Sequence, residues 1–236
     1  MEDVFFPEPV CTHPPRSENG THSKYPHTIL SLPGGGGRGT LVYRFIQLLL
    51  HNTPVPIEQM FGCIVGVSAG AIVGGILACG LGNSRTDTLL NKAYEMMFDQ
   101  ENNGFIAKFM SVRYNGDCKR KSLRLLFGDR TLGSVRIPLH ILCCDMSGRP
   151  VLFSSTCEKH KQLLLVEVID ASSAAPVYFP PVMVDGRILL DGGVVANDPL
   201  LLSYLIGRSM FLCLDFKLMG VSPSPSMYRS VNKITQ

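Results

Sequence analysis

The sequence predicts a single α/β domain in which a central, mostly parallel sheet is covered by helices on both faces. Three observations carry that expectation. Short apolar runs of strand type alternate with longer stretches of helical periodicity, the order a parallel sheet with crossover helices requires. Ser68 lies in Gly66-Val67-Ser68-Ala69-Gly70, directly after the apolar run Gly62-Cys63-Ile64-Val65, so a buried strand turns abruptly into a helix there. Asp191 follows the apolar Ile188-Leu189-Leu190 and is released by Gly192-Gly193, which sets a carboxylate at a strand's C-terminal end, where sites form in open α/β sheets.

Taken in order, residues 1–27 are polar and proline-rich, carry charges of both signs, and read as an irregular arm without a secretory leader. Residues 28–216 form the expected domain. Its first strand is Thr28-Ile29-Leu30-Ser31-Leu32, ended by Pro33 and the glycines Gly34 to Gly37. Residues 40–51 follow as a helix with Leu41, Phe45, Leu48 and Leu49 on one face, stopped at Asn52-Thr53-Pro54. The second strand spans about 62–67 and leads into a glycine-rich helix over 69–80. Residues 84–98 read as an amphipathic helix, 99–116 are too mixed to assign, and 117–127 read as a basic helix. A buried strand is expected over 137–144, and 150–154 is a candidate to pair beside it. After the proline-bounded loop that follows Ala171-Ser172-Ser173-Ala174-Ala175-Pro176 come the strand 188–190, a helix over 199–206 and a strand near 210–216. Residues 217–236, polar and proline-spaced from Ser222, read as a loose tail.

Composition narrows the function classes. The 236 residues are enough for one sizeable core, and 45% hydrophobic with 17% charged content describes a globular chain. A net charge of +3 without a Lys/Arg stripe argues against nucleic acid as a partner. The eight cysteines show no C-x-x-C spacing and several sit in apolar runs, so they read as reduced thiols of an intracellular, cytoplasmic protein rather than disulfides or a zinc site. Between Glu58 and Arg85 there is no charge, and Gly66, Gly70 and Gly74 repeat at the spacing of packed membrane helices. A span needs about 20 continuous helical residues, whereas strand, elbow and helix account for the same stretch and for Ser68.

A serine at such an elbow is held exposed at the edge of the sheet and reads as a nucleophile, with Gly66 and Gly70 giving the turn its room. Gly34-Gly35-Gly36-Gly37-Arg38-Gly39 lies between a strand and a helix and satisfies G-x-G-x-x-G. No lysine follows Gly39, which discards a P-loop. A dinucleotide-binding turn fits, with Glu58 about 20 residues on as the ribose acid. An oxyanion hole fits equally, because successive backbone N–H groups beside a helix start direct partial positive charge at one oxygen. Ser68 favours the second, since a developing alkoxide needs such donors.

The serine also needs a proton acceptor. No histidine follows the best acid, Asp191, as the usual order of serine, acid and histidine would require, and His140 reads as a core residue of its strand. Asp191 is therefore the candidate base of a two-residue dyad, with burial raising its basicity; Asp145 and Asp185 compete but lack a comparable setting.

These segments together resemble the patatin-like phospholipases, a family of serine acyl hydrolases, over roughly residues 28–216. The resemblance rests on Ser31-Leu32-Pro33-Gly34-Gly35-Gly36-Gly37-Arg38-Gly39, on the elbow around Ser68, on Ala171-Ser172-Ser173-Ala174-Ala175-Pro176-Val177-Tyr178-Phe179, and on Asp191-Gly192-Gly193 with Asn197-Asp198-Pro199 behind it. It implies a patatin-like α/β fold, Ser68 as nucleophile, Asp191 as general base, and Gly35, Gly36, Gly37 and Arg38 as the oxyanion hole. It also implies acyl-lipid substrates and no metal or cofactor. The chain departs from the family at Pro33, where an Asp is usual, which invites a non-catalytic lipid-binding member as the alternative. Compactness for the family argues against a large lid. Lys119-Arg120-Lys121 with Arg124 is the expected site of peripheral contact with membranes.

Overall fold

The structure is a computed structural model that describes residues 27–82, 84–98, 112–114, 116–211, 216–221 and 228–231. Residues 1–26 of the arm expected over 1–27 and most of the unassigned 99–116 stretch lie outside these residues. The strands are β1 (Thr28–Leu32), β2 (Cys63–Val67), β3 (Leu139–Asp145), β4 (Pro150–Ser154), β5 (Val182–Val184), β6 (Arg187–Asp191), β7 (Lys217–Val221) and β8 (Tyr228–Val231). The helices are α1 (Gly39–His51), α2 (Ile57–Met60), α3 (Ala69–Ala78), α4 (Ser84–Met97), α5 (Gly116–Phe127), α6 (Leu165–Ser172), α7 (Gly193–Ala196) and α8 (Leu200–Met210). One sheet runs in the order β5-β6-β3-β2-β1-β7-β8, with β4 also paired to β3. The four central strands are parallel, while β4, β5, β6 and β8 join antiparallel at the margins.

Alternate residues of the central strands serve two cores. Leu30, Leu32 and Ile64 pack with α1, α3, α4, α5 and α6, whereas Ile29, Cys63 and Val65 meet Ile206 of α8. All five residues of β2 and all ten of α3 are buried, as expected of a parallel strand and a helix sandwiched between layers. Each large aliphatic side chain buried there contributes about 1.5–3 kcal/mol. Among the described residues no helix is long and apolar enough to cross a membrane.

Three expectations need correction. Helix α1 turns Val42, Tyr43 and Ile46 inward and leaves Leu41 and Leu48 of the expected face exposed, while Phe45 of that face stays partly buried against the core. Both stripes of this helix are apolar, so periodicity does not choose between them, and packing against α3 decides. Residues 217–221 do not belong to a loose tail but form β7, paired with β1 from Thr28–Lys217 to Ser31–Gly220. Buried β1 has polar backbone groups along both edges, and β7 satisfies those that β2 does not reach. The strand expected near 210–216 is displaced accordingly, because α8 continues to Met210.

The sheet also explains how two distant segments meet. Strand β3 pairs β4 along one edge. Along the other it pairs β2 as far as Leu142, opposite Val67, and then β6 from Cys143, opposite Asp191. Strand β2 leaves at Ser68, and β6 takes up the vacated edge. Ser68 and Asp191 are thereby brought to one point in the sheet.

Candidate active site

Ser68 sits between β2 and α3 with φ 55° and ψ −124°, a conformation that costs a non-glycine residue roughly 1–3 kcal/mol. The neighbouring glycines make that turn possible. A Cβ at Gly66 would fall 2.7 Å from the Gly70 carbonyl oxygen, and one at Gly70 would fall 2.6 Å from that of Pro33. The Ser68 hydroxyl donates to Asp191 Oδ2 at 2.7 Å. The Gly193 N–H donates to the other oxygen, Oδ1, at 2.7 Å, so both carboxylate oxygens are engaged. Asp191 is 5% exposed, and this burial raises its pKa, opposed by the Ser68 and Gly193 hydrogen bonds and by the charge of Lys119.

Ser172, at the end of α6, holds the elbow from below. Its hydroxyl donates to Leu142 O at 2.6 Å and accepts the Ser68 N–H at 3.1 Å. The glycine loop is fastened from the Asp191 side by Asn197. The Gly34 N–H donates to Asn197 O at 2.9 Å, and the Asn197 side-chain amide donates to Gly34 O at 3.3 Å. Gly36 to Arg38 then form a 3₁₀ turn in which the Arg38 N–H donates to Gly35 O at 3.1 Å. The N–H groups of Gly35, Gly36 and Gly37 donate to no described residue, whereas that of Arg38 is engaged within the turn. Gly39 closes the turn by donating to Gly36 O. The N-terminus of fully buried α3 adds its positive end at Ser68.

These groups open on a cleft of about 730 Å³ lined by Ser68, Asp191, the glycine loop and Lys119. Its apolar wall comes from α3, α4 and the 175–179 loop, with Ile72, Met97, Phe98 and Phe179 prominent. Phe98 meets Tyr114 edge-on at 5.4 Å, and Tyr114 lies 5.5 Å from Phe179, so the wall is an interlocked aromatic cluster.

The rival acids have other work. Asp145 accepts hydrogen bonds from Ser147 and Arg149 in the β3–β4 turn, which lowers its pKa to about 2. Asp185 and Gly186, both at positive φ, make the tight β5–β6 turn. Glu58, the acid of the dinucleotide alternative, pairs with Arg136 at 3.7 Å. His140 is fully buried in β3, with no partner for either ring nitrogen among the described residues, and burial lowers its pKa to about 4. It does not line the cleft.

Lys119 corrects the expected basic cluster. It is 1% exposed, donates to Asp170 O at 2.8 Å and pairs with Asp170 Oδ1 at 3.0 Å. Arg120 is held by the other Asp170 oxygen, also at 3.0 Å. The Lys119 ammonium lies 4.5 Å from the centre of the Phe179 ring. Sequence reasoning missed the inward turn of Lys119 because nothing in a short basic helix marks which cation faces the core. Ser172 and Asn197 lie in segments singled out above, but without assigned roles.

Likeness to known proteins assigns the chain to a family. The family model for patatin-like phospholipase matches residues 30–203. Patatin-like protein 1 of Oryza sativa subsp. indica is 28% identical over 73% of this chain and 49% of its own length. A cGAMP-activated phospholipase of Escherichia coli (strain TW11681) is 29% identical over 72% of this chain and 53% of its own. The chain thus spans about half the length of these relatives. The crystal structure of VipD from Legionella pneumophila covers 75% of this chain and 47% of its own at 16% identity with a TM-score of 0.43, too loose a likeness to carry an argument. With the elbow, the glycine turn and the Asp-Gly-Gly strand end all falling inside the matched span or at its start, the chain belongs to the patatin-like phospholipase family.

Proposed function

We propose that the protein is a lipid acyl hydrolase of phospholipase A type, in which Ser68 is the nucleophile and Asp191 the general base. The observation that carries this reading is the 2.7 Å hydrogen bond from the Ser68 hydroxyl to Asp191 Oδ2. As the Ser68 oxygen attacks the ester carbonyl, its proton passes to Asp191. The carbonyl electrons move onto oxygen, where the unpaired N–H groups of Gly35 to Gly37 stabilise them; such a donor is typically worth about 100- to 1,000-fold in rate. Collapse of the tetrahedral adduct expels the alcohol, which takes the proton from Asp191, and leaves an acyl-serine. Water that gives its proton to Asp191 then releases the fatty acid and regenerates Ser68. An alcohol in place of water would make the same acyl-serine an acyltransferase intermediate. None of these steps uses a metal or cofactor.

Family membership and the apolar wall of the cleft support an acyl-lipid substrate. Free, buried thiols at Cys63 and Cys143 suit an intracellular setting. The second reading, a non-catalytic lipid binder, is favoured only by Pro33. Fatty-acid release from phospholipid micelles separates the two. Ser68→Ala and Asp191→Asn are each expected to lower turnover by about 1,000-fold or more. Turnover in Ser68→Ala equal to that of the native chain would rule the mechanism out.

A further inference from the structure

The rim of the cleft carries an apolar side chain that water and the backbone both disfavour. Val177 is 72% exposed and has φ 72°, an outlier for a β-branched residue. Its neighbours Pro176 and Tyr178 line the cleft, so Val177 stands at the mouth. The loop is held in this shape. The Arg113 N–H donates to Val177 O at 2.9 Å, the Tyr114 N–H donates to Tyr178 O at 2.8 Å, and Phe179 anchors the end of the turn in the aromatic cluster. Tyr178 and Val194, both largely exposed, continue the apolar rim. Two cations stand beside it. The exposed Arg113 guanidinium lies 5.6 Å from the Tyr114 ring centre and 5.9 Å from that of Tyr178, and exposed Arg38 lines the mouth.

We propose that Val177, Tyr178 and Val194 form a rigid ridge that enters the acyl layer of a lipid surface bearing anionic headgroups, with Arg38 and Arg113 meeting the phosphates. The proposal rests on the lipid-ester reading of the site. It moves the membrane-facing surface from α5, where Lys119 is buried and Arg120 is held by Asp170, to the mouth of the cleft. Continuity with the cleft selects the occupant. An ester drawn from a lipid layer must cross this rim to reach Ser68, whereas a protein seated on it would close the entrance. An apolar side chain fixed outwards gains by transfer out of water, and each cation near an anionic surface adds roughly fivefold to partitioning.

The test is co-sedimentation with phosphatidylcholine vesicles, with and without phosphatidylserine, using the Ser68→Ala protein so that turnover cannot alter the lipid. Val177→Asp is expected to weaken binding by about tenfold or more. Val177→Gly is expected to weaken binding while raising the thermal midpoint, because glycine accepts the positive φ; this variant separates lost contact from lost folding. Addition of phosphatidylserine is expected to tighten native binding. Binding of both Val177 variants like the parent overturns the proposal. So does a loss of binding confined to Lys121→Gln on α5, or a dimer that Val177→Asp dissolves, which would assign the ridge to a second copy. Vesicle binding that depends on Val177 in a chain whose native form releases no fatty acid supports the ridge and sinks the hydrolase reading alone.

Discussion

In the proposed mechanism Asp191 must be ionised to take the Ser68 proton, yet 5% exposure makes that charge costly. Burial raises its pKa above the ordinary 3.8, and hydrogen bonds from Ser68 and Gly193 together with the Lys119 charge restrain the rise. Activity is therefore expected to fall as pH drops through a value above that of an ordinary aspartate. Cys143, paired with Asp191 across the strands, stays protonated because burial and the Asp191 charge both raise its pKa. The remaining charged group acting on Asp191 is Lys119. Lys119→Met should move the acid limb of kcat/KM to higher pH, and Lys119→Arg should restore it; a purely structural Lys119 would lower activity without moving the limb. The linkage to stability has the opposite sense. A carboxyl with a raised folded pKa stabilises the protein below its unfolded pKa and loses that contribution as pH rises through the folded one. Ionised Asp191 thus costs stability at the pH where the proposed reaction would run, as does the strained φ of Ser68 at any pH. Of these residues, Ser68 and Asp191 were legible because glycine spacing marks both turns. Lys119 was not, since its partner Asp170 is a long way off in sequence and carries no motif.

At the scale of elements, legibility followed how many constraints each segment carries. Strand β2 and helix α3 are buried throughout, so an unbroken apolar run with an elbow inside it has one reading. Helix α1 carries apolar residues on both stripes, and only its neighbours select Val42 and Ile46 over Leu41 and Leu48. Strand β7 is short, holds a glycine and owes its place to the unpaired edge of β1, a demand made by residues almost 190 positions earlier. Strand β3 makes a prediction of its own through His140. Its folded pKa is lowered from 6.5 to about 4 by burial, so the neutral ring contributes stability that is full above pH 6.5 and lost as pH falls towards 4. Urea denaturation should show about 2 kcal/mol of stability lost between pH 7 and pH 5 from this residue, and His140→Leu should remove that part of the loss. An unchanged slope in the variant would assign the acid sensitivity elsewhere.

Across the whole molecule, one architectural device makes the site. Strands β2 and β6 share an edge of β3 end to end and each ends at the junction, so Ser68 and Asp191 converge although 123 residues separate them. Neither strand's own sequence encodes that sharing, which is why each half of the site could be read alone but their meeting could not. The glycine loop and the aromatic wall line the same cleft as this pair. Labelling by a fluorophosphonate probe, with the modified residue mapped by mass spectrometry, tests this most directly. The account predicts a single adduct on Ser68, absent in Ser68→Ala and strongly slowed in Asp191→Asn. An adduct on another residue, or equal labelling of the Asp191→Asn protein, would contradict it.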